Sequence, residues 1–85
     1  NRRPHGQAEE VGDGLMYLVY GLTDRVRLLM REHRMTTAEL ARRVRMPRAT
    51  VTRILLMKQS PSVKFVLRTA QVFGTTTDFL ILGKL

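Results

Sequence analysis

Between residues 36 and 56 the sequence TTAELARRVRMPRATVTRILL sets Arg48, Ala49, Thr52 and Arg53 on the outward faces of a helical repeat, with Val51, Ile54 and Leu55 as its apolar stripe. An arginine fork can bond bidentately to guanine O6 and N7, and an alanine or threonine methyl can pack on the thymine methyl. Residues of these types suit the approach to base edges, not bond making. The rest of the chain offers no catalytic set. It has no paired carboxylates, no His/Cys cluster and no phosphate-cradling glycine run, and His5 and His33 stand at unrelated positions. An enzyme, a metal centre and a cofactor are therefore not expected.

Two short helices must position that face. Thr36 and Glu39 have the T-x-x-E form of a capping box, and Leu40, Ala41 and Val44 follow on one face at helical spacing. Arg45-Met46-Pro47 breaks the pattern. Pro47 disfavours the helical conformation for Met46 and can itself open a second helix. One amphipathic helix thus braces another whose outward face is basic and short-chained, the layout of a helix-turn-helix spanning Thr36–Leu56.

The run from Thr36 to Ser62 resembles the lambda-repressor-like, Cro-type helix-turn-helix family and aligns with it without a gap. Leu40-Ala41 matches the family's Leu-Ala pair and Val44 its buried aliphatic before the turn. Val51 and Ile54 match the two core positions of the recognition helix, and Pro61-Ser62 the Pro-Ser that opens the next helix. The resemblance implies an all-α, five-helix DNA-binding domain over residues 23–85. It implies base reading by Arg48, Ala49, Thr52 and Arg53, and phosphate contacts by Thr37, Arg42, Arg43 and Lys58. The sequence also departs from the family. Arg45 replaces the frequent glycine of the turn, so it either takes a left-handed conformation at a cost of about 1 kcal/mol or somewhat more, or the turn has another geometry; Met57 replaces another frequent glycine just after the recognition helix. Met30 and Leu55 replace a common buried Arg–Glu pair, a joint exchange of an ion pair for an apolar contact. Thr37 stands where a phosphate-touching Gln is common.

Composition agrees with this reading. Eighty-five residues make one small domain with 44% hydrophobic and 6% aromatic content, hence an aliphatic core. Without cysteine, neither a disulfide nor a thiolate metal site can staple it. No apolar run approaches the length of a membrane span and no apolar signal core is present, so a cytoplasmic, nucleoid-associated location is expected. The net charge is +8, from 15 Lys+Arg against 7 Asp+Glu. Its cations concentrate between Arg25 and Lys58, where Glu32 and Glu39 are the only acids. Charge gathered on the reading module is the footprint of a nucleic-acid binder.

Outside the motif, residues 1–14 mix Pro, Gly and charge without apolar periodicity and read as a flexible tail whose Arg2 and Arg3 could reach a minor groove. Residues 15–22 contain LMYLVY, for which strand and buried helix remain open. Thr23 reads as the N-cap of a helix with the stripe Val26, Leu29, Met30 and His33. A fourth helix opens at Ser62 with the stripe Val63, Val66, Leu67, Ala70 and Phe73, and stops at Gly74. Thr75–Thr77 offers caps for a fifth, which covers Asp78–Leu82 and ends at Gly83. Leu15, Tyr17, Leu18, Tyr20, Phe79, Ile81 and Leu82 exceed what one small domain can bury, and form the expected homodimer interface. The function expected is double-stranded DNA binding by a prokaryotic-type transcriptional regulator, a repressor acting as a homodimer on a pseudo-palindromic operator. The alternative is a protein-interaction module, such as an antitoxin-like subunit, whose apolar surfaces hold another regulatory protein.

Overall fold

A computed structural model of the protein describes residues 2–84, with side chains from Tyr17 to Lys84. It is all-helical among these residues: α1 (Arg2–Glu32), α2 (Thr37–Val44), α3 (Arg48–Leu55), α4 (Val63–Phe73) and α5 (Thr77–Leu82). The tail expected over residues 1–14, with Arg2 and Arg3, and the Leu15 side chain lie outside the described side chains. The segment 15–22 is helix, continuous with the remainder of α1. Thr23 is therefore not an N-cap. It is a buried interior residue of α1, and its hydroxyl donates to the Met57 sulfur at 3.2 Å.

The other caps agree with the sequence. Thr36, Ser62 and Thr76 are extended N-caps whose side-chain oxygens accept from the Glu39, Phe65 and Phe79 amides at 3.0–3.1 Å. Each satisfies one orphan amide at a helix start. Helices α1 to α4 end alike. Residues 34, 45, 57 and 74 are left-handed, and the next amide reaches back five residues, as in Met46 N–H to Ala41 O at 3.0 Å and Lys58 N–H to Arg53 O at 2.8 Å. Only Gly74 takes that conformation without steric penalty; Arg34, Arg45 and Met57 are held in it.

One core unites the five helices. Val26 and Met30 of α1, Leu40 and Val44 of α2, Val51, Ile54 and Leu55 of α3, Phe65 and Ala70 of α4 and Leu80 of α5 are all buried. Helix α1 packs against α5 and α3, while α2 lies against both α3 and α4. Two stripes differ from expectation. In α4 the buried face is Phe65, Val66, Thr69, Ala70 and Phe73, leaving Val63 and Leu67 exposed. In α5 Leu80 is the buried residue, with Phe79 and Ile81 half-buried against the core. His33 is exposed on the edge of α1, its ring tilted against Phe73 at 5.1 Å.

Three arginines close helix ends from a distance. Arg25 donates to the Leu80 and Ile81 carbonyls at 2.8 and 3.1 Å, Arg27 to the Leu55 carbonyl, and Arg68 to the Val44 carbonyl at 2.9 Å. Each guanidinium meets the negative end of a helix dipole and a carbonyl lacking an intrahelical donor. The Arg25 fork passes between two glycines. A Cβ at Gly83 (φ +74°) would stand 2.7 Å from its Nη2, and one at Gly21 2.9 Å from its Nη1.

Met30 and Leu55 are both buried in the shared core and flank one cleft. Met30→Arg or Leu55→Glu alone should cost about 3–5 kcal/mol through an unpaired buried charge. The double variant should regain much of that loss in urea unfolding. Harmless single variants would show that α1 sits differently against α3.

Candidate nucleic-acid interface

Helix α3 is eight residues long and buries one side only. At about 100° per residue, Val51, Ile54 and Leu55 point into the core. Arg48, Ala49 and Arg53 are exposed and Thr52 is half-buried, so the four expected base-reading residues share the outward side. The start of the helix carries no side-chain cap, since Pro47 stands at the N-cap. Arg48 therefore projects from a turn whose first amides lack intrahelical acceptors. Arg53 is less free: its Nε donates to Gln59 Oε1 at 2.9 Å and its Nη2 lies 3.5 Å from Thr50 Oγ1. Those contacts orient the guanidinium and leave other N–H groups of its fork available.

The expected phosphate-binding residues surround α3 and are differently engaged. Thr37 is the first residue of α2 and half-buried. Arg43 pairs with Glu39 at 3.0 Å and Arg42 lies 3.9 Å from the same carboxylate, both well exposed. Exposed pairs of this kind contribute about 0–1 kcal/mol, so either arginine can exchange Glu39 for an outside anion at small cost. Glu39 thus turns to the arginines instead of completing the reciprocal capping bond to Thr36. Lys58 is exposed just beyond α3, where the left-handed Met57 turns the chain outward.

The residues expected to meet a second copy are unequally exposed. Tyr17 is 77% exposed, Tyr20 51% and Leu82 50%, with Leu18 at 38%. Phe79 and Ile81 are half-buried against the domain's own core. Leu18 and Ile81 instead border an apolar groove of about 370 Å³, shared with Leu22, Val63, Val66 and Leu67. The exposed Val63 and Leu67 were not foreseen, because α4 is rotated from its expected stripe. Arg27, which fastens the end of α3, was missed as well. No local pattern connects residues 27 and 55.

A family model described as a helix-turn-helix domain matches residues 22–79. Comparison with curated proteins and with solved structures gave no match. The matched region begins at Leu22, the first buried residue among the described side chains of α1, and takes in both motif helices and α4 whole.

The turn between α2 and α3 gives a direct test of its geometry. Arg45 is exposed at φ 58°, so Arg45→Gly should relieve strain, offset in part by a more flexible unfolded chain, for a net gain of up to about 1 kcal/mol. Arg45→Val should destabilise by more than that gain, since branching at Cβ disfavours this region. Thermal midpoints of the two variants should therefore move in opposite directions.

Proposed function

We propose that this chain, which belongs to the helix-turn-helix domain family, is the DNA-binding part of a prokaryotic-type transcriptional regulator that reads a specific double-stranded sequence. The observation that carries this reading is the division of α3. Its inner side is closed by Val51, Ile54 and Leu55, and its outer side carries the exposed Arg48, Ala49 and Arg53 with the half-buried Thr52 among them. In the major groove Arg48 and Arg53 read guanine, and Ala49 and Thr52 contact a thymine methyl. Thr37, Arg42, Arg43 and Lys58 fix the register on the backbone. The chain acts on DNA without catalysis, in the cytoplasm, as a repressor that blocks its operator by occupying it.

The same reading makes the chain a homodimer. One module covers few base pairs; two, with recognition helices about 34 Å apart, read both halves of a pseudo-palindrome. Tyr17, Leu18, Tyr20 and Leu82, with the groove beside them, supply apolar surface on α1, α4 and α5 for a two-fold contact. That surface also favours a second reading, in which another regulatory protein docks there.

If two chains together neutralise about six to ten phosphates, log K should fall against log salt with a slope of about −5 to −9. Lys58→Ala should weaken all duplexes alike. Arg48→Ala should cost about 1–3 kcal/mol on a site selected from random DNA and relax the preference at one base pair. A flat salt response would overturn the DNA-binding reading.

The dimer is tested separately by sedimentation at micromolar concentration, with Tyr17→Asp and Leu18→Asp as the disrupting variants. Two chains should become one and the preference for a full palindrome over a half-site should vanish. A wild-type chain that sediments as a monomer and binds half-sites equally well would rule out the two-fold assembly.

A further inference from the structure

Beside the reading helix, α1 and the start of α2 enclose a polar cleft of about 440 Å³ that includes Arg27, Arg31 and Thr37, with Leu55 at its inner edge. We infer that this cleft grips a phosphate of the DNA backbone, with Arg31 and Arg27 as its cations, and that Arg27 couples the grip to the position of α3. The inference rests on the DNA-binding reading above and adds a site to it.

The cleft gathers donors from three directions. Arg31 and Arg27 are both exposed on α1. Arg27 gives one Nη to the Leu55 carbonyl, and a guanidinium has five N–H groups, so others remain for an anion. Thr37 lines the same cleft from the first turn of α2, where the Thr37 and Ala38 amides lack intrahelical acceptors. The floor is apolar: Met30 and Leu55 are buried there as an uncharged pair, so no carboxylate from either position neutralises the arginines. Asp24 also lines the cleft, one turn before Arg27 on α1, but no ion pair joins it to Arg27 or Arg31 among the described residues. A planar fork matched to a tetrahedral anion, with a threonine lining the same cleft, is a phosphate's coordination chemistry. The position selects a duplex backbone as its source. The cleft touches the first residue of α2 and the last of α3, so a duplex lying along the outer side of α3 brings its backbone past it.

Arg27 gives the site a second role. One guanidinium that holds both a backbone phosphate and the terminal carbonyl of α3 ties the height of the reading helix above the groove to a fixed point on the DNA. Arg27 is thus a positioning residue for base reading, and Arg31 a plain phosphate contact.

The test uses the full chain with a selected duplex and a random one, measuring affinity against salt. Arg31→Ala should make the slope of log K against log salt shallower by about 1 per bound chain, with equal proportional losses on both duplexes. Arg31→Lys, which keeps the charge, should restore the slope. Arg27→Lys should keep the slope near wild type but narrow the ratio between selected and random DNA, because one ammonium cannot fork between phosphate and carbonyl. Urea midpoints of the same variants separate these effects from loss of fold. An Arg31→Ala protein with wild-type slope and affinity would overturn the phosphate site while leaving DNA binding intact. An unchanged ratio in Arg27→Lys would overturn the coupling. A wild-type chain with no salt-dependent binding would defeat the underlying reading itself.

Discussion

The outward face of α3 depends on the closure of helix ends that the helices cannot close themselves. Helices α2 and α3 are eight residues each and α5 is six, whereas isolated helices below about 12–15 residues are marginal in water. Every such helix leaves carbonyls at its C-terminal end without donors, and in so short a helix these are half or more of its acceptors. Left-handed caps satisfy some of them. At Val44, Leu55 and Leu80-Ile81 an arginine from another helix provides the rest. A charged donor at a helix C-terminus also meets the dipole favourably. The three contacts cross the core cluster from outside and tie α2 to α4, α3 to α1 and α5 to α1. Core packing sets which faces meet; the arginines set where along its axis each short helix stops.

This division changes the meaning of the chain's positive charge. Arg25 and Arg27 fall within the basic run that marks a nucleic-acid binder, yet both have structural acceptors on distant helices. Arg42 and Arg43 share one carboxylate. These bonds leave each guanidinium its full charge but fix where it sits, so the cations that can turn to an outside anion are fewer than the count implies, with Arg31, Arg48, Lys58 and the arginines that can release a weak partner among them.

Where local chemistry decides, the sequence was readable. Thr36, Ser62 and Thr76 cap because a side-chain oxygen three residues ahead of an amide is a local geometry, and Gly74 and Gly83 stop helices for an equally local reason. The motif's buried stripes, Leu40-Ala41-Val44 and Val51-Ile54-Leu55, arise from periodicity alone. For the left-handed Arg45 the family resemblance left two geometries open, and it marked Met57 only as a replaced glycine, since their own side chains argue against that conformation. What stayed hidden is tertiary. Thr23 resembles a cap but is buried against Met57, thirty-four residues away. In α4 apolar residues occur on both sides of the helix, so periodicity could not choose between Phe65 and Val63. At the site, the side chosen for base reading agrees with the exposed side of α3, whereas Arg27 and Arg31 come into play only once α1 is laid against α2 and α3.

The passage of Arg25 between Gly21 and Gly83 also limits how the domain can move. Each glycine leaves room for the guanidinium tip, whose bonds to the Leu80 and Ile81 carbonyls would break in a slide of α1 along α5 by one turn. Two residues further along the same helix, Arg27 holds the end of α3. Helix α1 therefore acts as a ruler with two fixed marks, one at α5 and one at the reading helix. Anything seated on the α5 side stands at a constant offset from α3. In the two-chain assembly proposed above, the separation between the two copies of α3 would then be set by how the chains meet, not by a hinge inside either one.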